Sequence, residues 1–154
     1  MRIRIISIGK VKQSFVLDGE SEYSKRLSRW IDLDIEEINP PDGLTGQQLK
    51  DKELGLVTSR IRKDEIVFAL DENGKELTSQ EFSSTLGRYM LSGRSQFTFL
   101  IGGAAGWSPE IKKVSTEIIS LSKLTFTYQM TRLILTEQLY RALCIIKGVP
   151  YHKQ

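Results

Sequence analysis

The residues best suited to chemistry lie at the ends of two apolar runs and near the end of the chain. Gln96-Phe97-Thr98-Phe99-Leu100-Ile101 runs directly into Gly102-Gly103-Ala104-Ala105-Gly106. Glycines there let the main chain approach a ligand closely and adopt positive φ. On the motif alone, Gly-Gly-x-x-Gly reads slightly better as a tight strand-to-helix turn with no ligand than as a ligand loop. It is neither the dinucleotide fingerprint nor a P-loop, since the G-x-G-x-x-G spacing and a following Gly-Lys-Ser/Thr are both missing. Leu70-Asp71-Glu72 is the second such end. Its carboxylates could bond a ribose or take a proton, although loop carboxylates are most often simply solvated. Trp107 is either packing against the sheet end or a platform for a base, and Tyr128 and Tyr151 could stack on nucleobases as well. The tail Tyr151-His152-Lys153 joins a stacking ring, a titratable imidazole and a positive charge. Beside a glycine-rich strand end, that combination points to an aromatic polyanion.

Composition narrows the chemistry. Cys144 is the one cysteine and His152 the one histidine, so an intrachain disulfide and a Cys/His metal cluster are excluded. The 22 Lys and Arg against 19 Asp and Glu give a net charge of +3, compatible with a nucleic-acid partner without requiring one. From Leu121 onward Glu137 is the lone acid, against Lys123, Arg132, Arg141, Lys147 and Lys153. Apolar runs fall far short of the roughly 20 residues that span a bilayer, and the start alternates charge with aliphatics, unlike a signal peptide. A chain without membrane contacts, resident in the cytoplasm, is the expectation. Its 154 residues suit a single domain over 1–154.

The elements that must position these groups follow from periodicity. Arg2–Ile8 reads as a strand closed by Gly9, and Phe15–Leu27 as an amphipathic helix. Ile31–Glu36 alternates strictly, as in a strand near a sheet edge with one wet face. Pro40-Pro41 marks a loop, and Leu49–Ile61 a helix. Ile66–Leu70 is continuous and apolar, as a central parallel strand should be, and Asp71–Lys75 is expected to break it. Thr78-Ser79-Gln80-Glu81 has capping-box spacing and predicts a helix ending near Gly93. After the strand Gln96–Ile101, Ser108-Pro109-Glu110 predicts a capped helix start, and Leu124–Thr127 a short strand or extended segment. Thr131–Lys147 is the strongest helix signal, stopped by Gly148 and Pro150. Strands alternating with helices predict an α/β fold with a mainly parallel sheet. Ligands bind beyond the carboxyl ends of such strands, which is where the glycines and Asp71 fall.

Gly9-Lys10, Ile101-Gly102-Gly103 with Gly106, Leu121-Ser122-Lys123-Leu124-Thr125-Phe126, Arg132, Glu137-Gln138-Leu139-Tyr140-Arg141-Ala142 and Pro150-Tyr151-His152-Lys153 together resemble the ribosomal large subunit methyltransferase H family. That family belongs to the SPOUT class of knotted methyltransferases, and the resemblance runs from residue 1 to the end. It implies a C-terminal trefoil knot, an S-adenosylmethionine cofactor and a homodimer with its site at the subunit interface. The implied substrate is a pseudouridine of large-subunit rRNA, methylated on N3 within the assembled ribosome. Carried over by position, the cofactor site falls on Leu70, Gly102, Leu121, Ser122, Lys123, Leu124, Thr125 and Phe126, with no metal. Catalytic roles fall on Tyr151, which would stack beside the target base, on His152 as a base, and on Arg132 or Lys153 as a positive field. Family members commonly carry Pro-His where this chain has Thr127-Tyr128, which leaves the proton acceptor open and moves weight to His152.

Overall fold

The computed structural model describes residues 1–152, so Lys153 lies outside the described residues. Five strands form one sheet: β1 (Arg2–Ile8), β2 (Asp32–Ile38), β3 (Ile66–Glu76), β4 (Gln96–Ile101) and β5 (Glu117–Ser120). Their order is β2-β1-β4-β3-β5, and every pairing is parallel. The helices are α1 (Ser14–Leu27), α2 (Gly46–Thr58), α3 (Ser79–Leu91) and α4 (Tyr128–Lys147), with a short 3-10 turn at Pro109–Lys113.

Alternation along the strands sorts side chains into two cores. Ile3, Ile5, Phe68, Phe97 and Phe99 face Leu27 of α1, Phe82 and Leu86 of α3, and Leu135, Leu139 and Leu143 of α4. Ile6, Ile8, Val67, Ala69 and Leu100 face Val57 of α2 together with Trp107 and Ile111. The sheet is therefore buried on both faces, as parallel sheets require. Within the larger core the Phe68 and Phe99 rings stack with centroids 4.8 Å apart, joining β3 to β4. The wet strand read from Ile31–Glu36 lies at the sheet edge, as β2. The α/β class, the parallel sheet and the capping box hold: Thr78 Oγ1 accepts the Glu81 amide while Glu81 reaches back to the Thr78 amide.

Three local expectations need correction. Asp71–Lys75 does not end β3, which runs on to Glu76. Leu70 and Lys75 both pair with Ile119, so the residues between them leave the register and the strand then resumes. Gly74 permits this, because a Cβ there would sit 2.6 Å from the Ile119 carbonyl carbon. Leu124–Thr127 is not a strand; the outer strand is β5, and residues 121–127 cross back without a strand partner. Side chains satisfy that backbone instead: Ser120 Oγ donates to the Ser122 carbonyl, and Ser122 Oγ accepts the Leu124 amide. The Thr127 hydroxyl caps α4 by accepting the Met130 amide, which starts the helix three residues before the expected Thr131. Finally, Ser108 makes no side-chain cap, and Pro109–Lys113 is a single 3-10 turn. The chain has no room to continue it, since the Thr116 amide already bonds the Val67 carbonyl at 2.7 Å to start β5.

Candidate functional site

The stretch of β3 that leaves register after Leu70, the carboxyl end of β4 and the segment after β5 enclose a cleft of about 810 Å³. Its wall from β3 is Leu70 to Asn73, its wall from β4 and the turn after it is Ile101 to Trp107, and its third side is Ser120 to Ser122, Leu124 to Gln129 and Thr131. The geometry follows from the parallel sheet: neighbouring strands all end on one side, and the loops leaving them diverge and open a crevice. Of the lining residues only Lys50, Asp71 and Glu72 carry charge. The rest of the wall mixes glycine main chain and apolar side chains with uncharged polar ones such as Asn73, Ser122, Thr125 and Gln129.

Packing behind the glycine turn gives it a fixed shape. The Trp107 indole is buried and donates from Nε1 to the Leu70 carbonyl at 3.0 Å, tying the turn to the end of β3. Its ring lies so close to Gly102 that a Cβ there would be 3.0 Å from a ring carbon. Across the cleft, the Thr125 hydroxyl donates to Glu72 at 3.2 Å, linking the crossing segment to β3. At the far side the Tyr128 hydroxyl donates to the Lys10 carbonyl at 2.8 Å, and its ring covers Gly9. Gly9 has φ +103°, and a Cβ there would meet that ring at 2.8 Å. Gln129 Oε1 accepts the Lys12 amide at 2.9 Å and the Gln13 amide at 3.2 Å, so the start of α4 is seated on the loop after β1.

Leu70, Gly102, Leu121, Ser122, Leu124, Thr125 and Phe126, expected together from sequence, all line this one cleft. Lys123 does not; its ammonium lies 3.6 Å from Glu76 on the exposed side. Asp71, Glu72, Trp107 and Tyr128 also line it, and Trp107 does so as a packed wall rather than a free platform.

The residues expected to act on the substrate lie elsewhere in the same chain. Arg132 is buried, and its guanidinium is held by Glu20 of α1, with both Glu20 oxygens engaged, and by Glu37 of β2 at 2.6 Å. Burial weakens the guanidinium's hold on its proton, but the two carboxylates outweigh it and hold the group charged. Burial likewise lifts Glu37, yet the Val11 amide and Arg132 keep its carboxyl below the ordinary value. The Arg132 charge is therefore matched within the fold and is not a free field over the cleft. Tyr151 packs edge-on against Tyr140 and donates to Glu137 at 3.0 Å, with the Tyr23 hydroxyl 3.2 Å away. Burial and these two partners push the Tyr151 phenol well above its usual range. His152 Nδ1 lies 3.4 Å from Arg141, whose guanidinium is bound to Glu137 at 2.6 Å and lies over the Tyr151 ring. Glu137 is nine residues along α4 from Tyr128, or about 13 Å of helix. Within the chain the tail and the cleft are separate groups of residues.

One residue escaped the sequence reading. Glu53 of α2 is buried and its carboxyl group lies against Gly103. The apolar spacing of Leu54, Val57 and Ile61 defines the buried stripe of α2 and gives no reason to put a carboxylate beside it. Among the described residues no helix is long and apolar enough to cross a membrane.

Comparison with known proteins bears on all of this. Residues 1–152 match the family described as "Predicted SPOUT methyltransferase". A protein of Acetivibrio thermocellus named ribosomal RNA large subunit methyltransferase H is 42% identical, over 99% of this chain and 100% of its own. A protein of the same name from Enterococcus faecalis is 39% identical over the same shares. Among solved structures, one titled a probable methylase family protein, from Haemophilus influenzae, superposes with a TM-score of 0.61. That likeness covers 99% of this chain and 70% of the other at 11% identity, and it bears on the fold alone.

Proposed function

Because the chain belongs to the SPOUT methyltransferases, in the family of ribosomal RNA large subunit methyltransferase H, we propose that it methylates N3 of a pseudouridine in large-subunit rRNA, on the assembled ribosome, with S-adenosylmethionine as donor. The observation that carries this reading is the convergence of Leu70, Gly102 and residues 121–126 on one cleft between the stretch of β3 after Leu70 and the carboxyl end of β4. Its chemistry fits the donor. Leu70, Ile101, Leu121, Leu124 and Phe126 offer apolar walls for an adenine, and the turn at Gly102 and Gly103 offers main-chain amides and carbonyls. Asp71 and Glu72 outnumber Lys50, so the lining is net acidic, as suits a cationic ligand. Bound there, S-adenosylmethionine supplies an electrophilic methyl group on a sulfonium.

The residues of this chain have three tasks in such a reaction. The cleft holds the donor in one orientation, and placement of the target nitrogen then does much of the work of lowering the barrier. The imide N3 of pseudouridine carries a proton and is a weak nucleophile until it leaves, so a base must stand near it. His152 is the imidazole available for that task, and Tyr151 is the ring to steady the base beside it. Arg132 enters as a positioning residue: with Glu37, whose carboxylate also accepts the Val11 amide, it fixes α4 against β2 and the loop after β1.

Tail and cleft lie apart within a protomer, so the reading includes a homodimer in which the tail of one copy meets the cleft of the other. It also includes the C-terminal trefoil knot. Supporting the knot is the path of residues 121–127, which leave the outer strand β5, pass Glu72 and reach Tyr128 beside Gly9 at the end of β1. A ribosomal substrate implies the cytoplasm, and the net charge of +3 favours RNA phosphates.

Calorimetric titration with S-adenosylmethionine tests the cleft. Saturable binding is expected, weakened at least tenfold in Gly102→Val, whose side chain would collide with the Trp107 ring. No binding at millimolar donor would refute the reading. Mixed dimers test the composite site. A Gly102→Val copy and a His152→Ala copy, each inactive alone, should recover activity when mixed, through the one interface that joins an intact cleft to an intact tail. No recovery in demonstrated mixed dimers would contradict it.

A further inference from the structure

The glycine turn of the cleft is backed by a carboxylate from the opposite layer. Glu53 sits on α2 with 1% of its surface exposed. The Gly103 main chain lies against its carboxyl group and favours its charged form. Contact is so close that a Cβ on Gly103 would lie 2.6 Å from Glu53 Oε1 and 3.1 Å from Oε2. Oε2 is fully buried and has no hydrogen-bond partner. A buried acid with half its acceptor capacity unused is costly to a fold, and an apolar residue would complete the α2 stripe at less expense. No Lys or Arg is paired with it among the described ion pairs. What it does contact is the turn that lines the cleft.

We propose that Glu53 is a positioning residue for the cleft: its carboxyl group clamps the Gly103 main chain from behind and holds the glycine turn in its ligand-binding shape. The clamp is two-sided. Trp107 supports Gly102 and is tied to the Leu70 carbonyl, while Glu53 supports Gly103. Together they fix two successive peptide units of a turn that has no side chains of its own to fix it. Glycine at Gly103 leaves the carboxyl group the space a Cβ would take, so a side chain there would displace Glu53 from the turn. Burial raises the Glu53 pKa above the ordinary carboxylate value against the pull of the Gly103 main chain, so an uncharged amide in its place should serve nearly as well. The function of the clamp rests on the cleft being the donor site; the clamp itself is a property of the free protein.

The test uses the full-length protein and three variants. Glu53→Met keeps the volume and removes the acceptor, Glu53→Gln keeps the acceptor, and Gly103→Ala displaces the carboxyl group from the other side. Hydrogen exchange of residues 102–106 is measured without donor, and methyl transfer to ribosomal subunits with donor. Expected for Glu53→Met is at least tenfold faster exchange in the turn, with exchange in β1 and β4 unchanged. Its donor KM should rise at least tenfold while kcat at saturating donor falls less than threefold. Glu53→Gln should stay within threefold of the unaltered protein on every readout. Exchange and KM within twofold of the unaltered protein in Glu53→Met would overturn the proposal, as would an equal loss in Glu53→Gln. If Glu53→Met does not fold, Gly103→Ala decides, with the same expected and overturning limits on exchange. The exchange result stands whether or not the donor is S-adenosylmethionine, so a failed donor assignment is told apart from a failed clamp.

Discussion

Removing the Arg132 guanidinium probes how the C-terminal helix is held. Arg132→Met keeps most of the side-chain volume but strands Glu20, of which 5% is exposed, and deprives Glu37 of its partner. Both Glu20 oxygens bond Arg132 in the intact protein, so the variant leaves a buried carboxylate with neither charge nor donor opposite it. Breaking a buried pair from one side costs about 3–5 kcal/mol. For a chain of this size that lowers the melting temperature by roughly 6–20 °C. The pH dependence has a definite sign. Glu37 is held below its ordinary pKa in the fold, so its contribution is present above the unfolded carboxylate value and is lost as pH falls through the lower, folded one. The variant lacks that contribution, so the gap between the two proteins should narrow on going from pH 7.5 to below about pH 4. Urea denaturation followed by circular dichroism at several pH values measures this. Adding Glu20→Gln to Arg132→Met should restore at least half the loss, because it removes the stranded charge. A loss under about 1 kcal/mol at neutral pH, in the range of exposed pairs, or no rescue by Glu20→Gln, would refute the assignment of Arg132 to a buried network.

Other consequences are local. Trp107→Phe removes the donor to the Leu70 carbonyl and should cost about 1–3 kcal/mol, with weaker donor binding seen by calorimetry because the β3 wall of the cleft loosens. Gly148 ends α4 in the left-handed region at φ 65°, so Gly148→Ala should destabilise by about 1–2 kcal/mol in thermal unfolding while leaving donor affinity unchanged. Glu81 is held below its ordinary pKa, chiefly by the Thr78 amide. Capping of α3 should therefore persist above the unfolded carboxylate value and fade as pH falls through the folded one. Protection of the Thr78 amide, taken as exchange relative to its intrinsic rate at each pH, should fall over that acid window, and in Glu81→Gln that fall should disappear.

Much of this architecture can be read from local patterns, because the patterns are what fold it. The strand Arg2–Ile8 and the run Ile66–Leu70 announce burial on two faces, and Thr78-x-x-Glu81 announces its own helix start. Reading failed where a tertiary neighbour decides the local shape. Leu124–Thr127 reads as a short strand or extended segment, yet no strand lies alongside it, and the Leu124 amide is met by Ser122 Oγ instead. Asp71–Gly74 looks like the end of β3, and only the Ile119 backbone beside Gly74 explains why the strand resumes. In the cleft, the glycines were visible as residue types suited to a main-chain pocket, whereas the 121–126 segment entered only through the family resemblance. Glu53 was not, because its role arises from contact across 50 residues with a glycine that carries no side chain to mark it. Arg132 was visible as a charge but not as a paired one, since Glu20 and Glu37 come from distant elements.

The central claim is that the cleft beyond β3 and β4 presents a methyl donor to a ribosomal nucleobase. Incubation of the purified protein with methyl-labelled S-adenosylmethionine and large ribosomal subunits, followed by digestion of the rRNA and nucleoside analysis, tests it most directly. The account predicts label in a single nucleoside, N3-methylated pseudouridine, with whole subunits or ribosomes as better substrates than free rRNA. Absence of label, or label in another nucleoside, would contradict it.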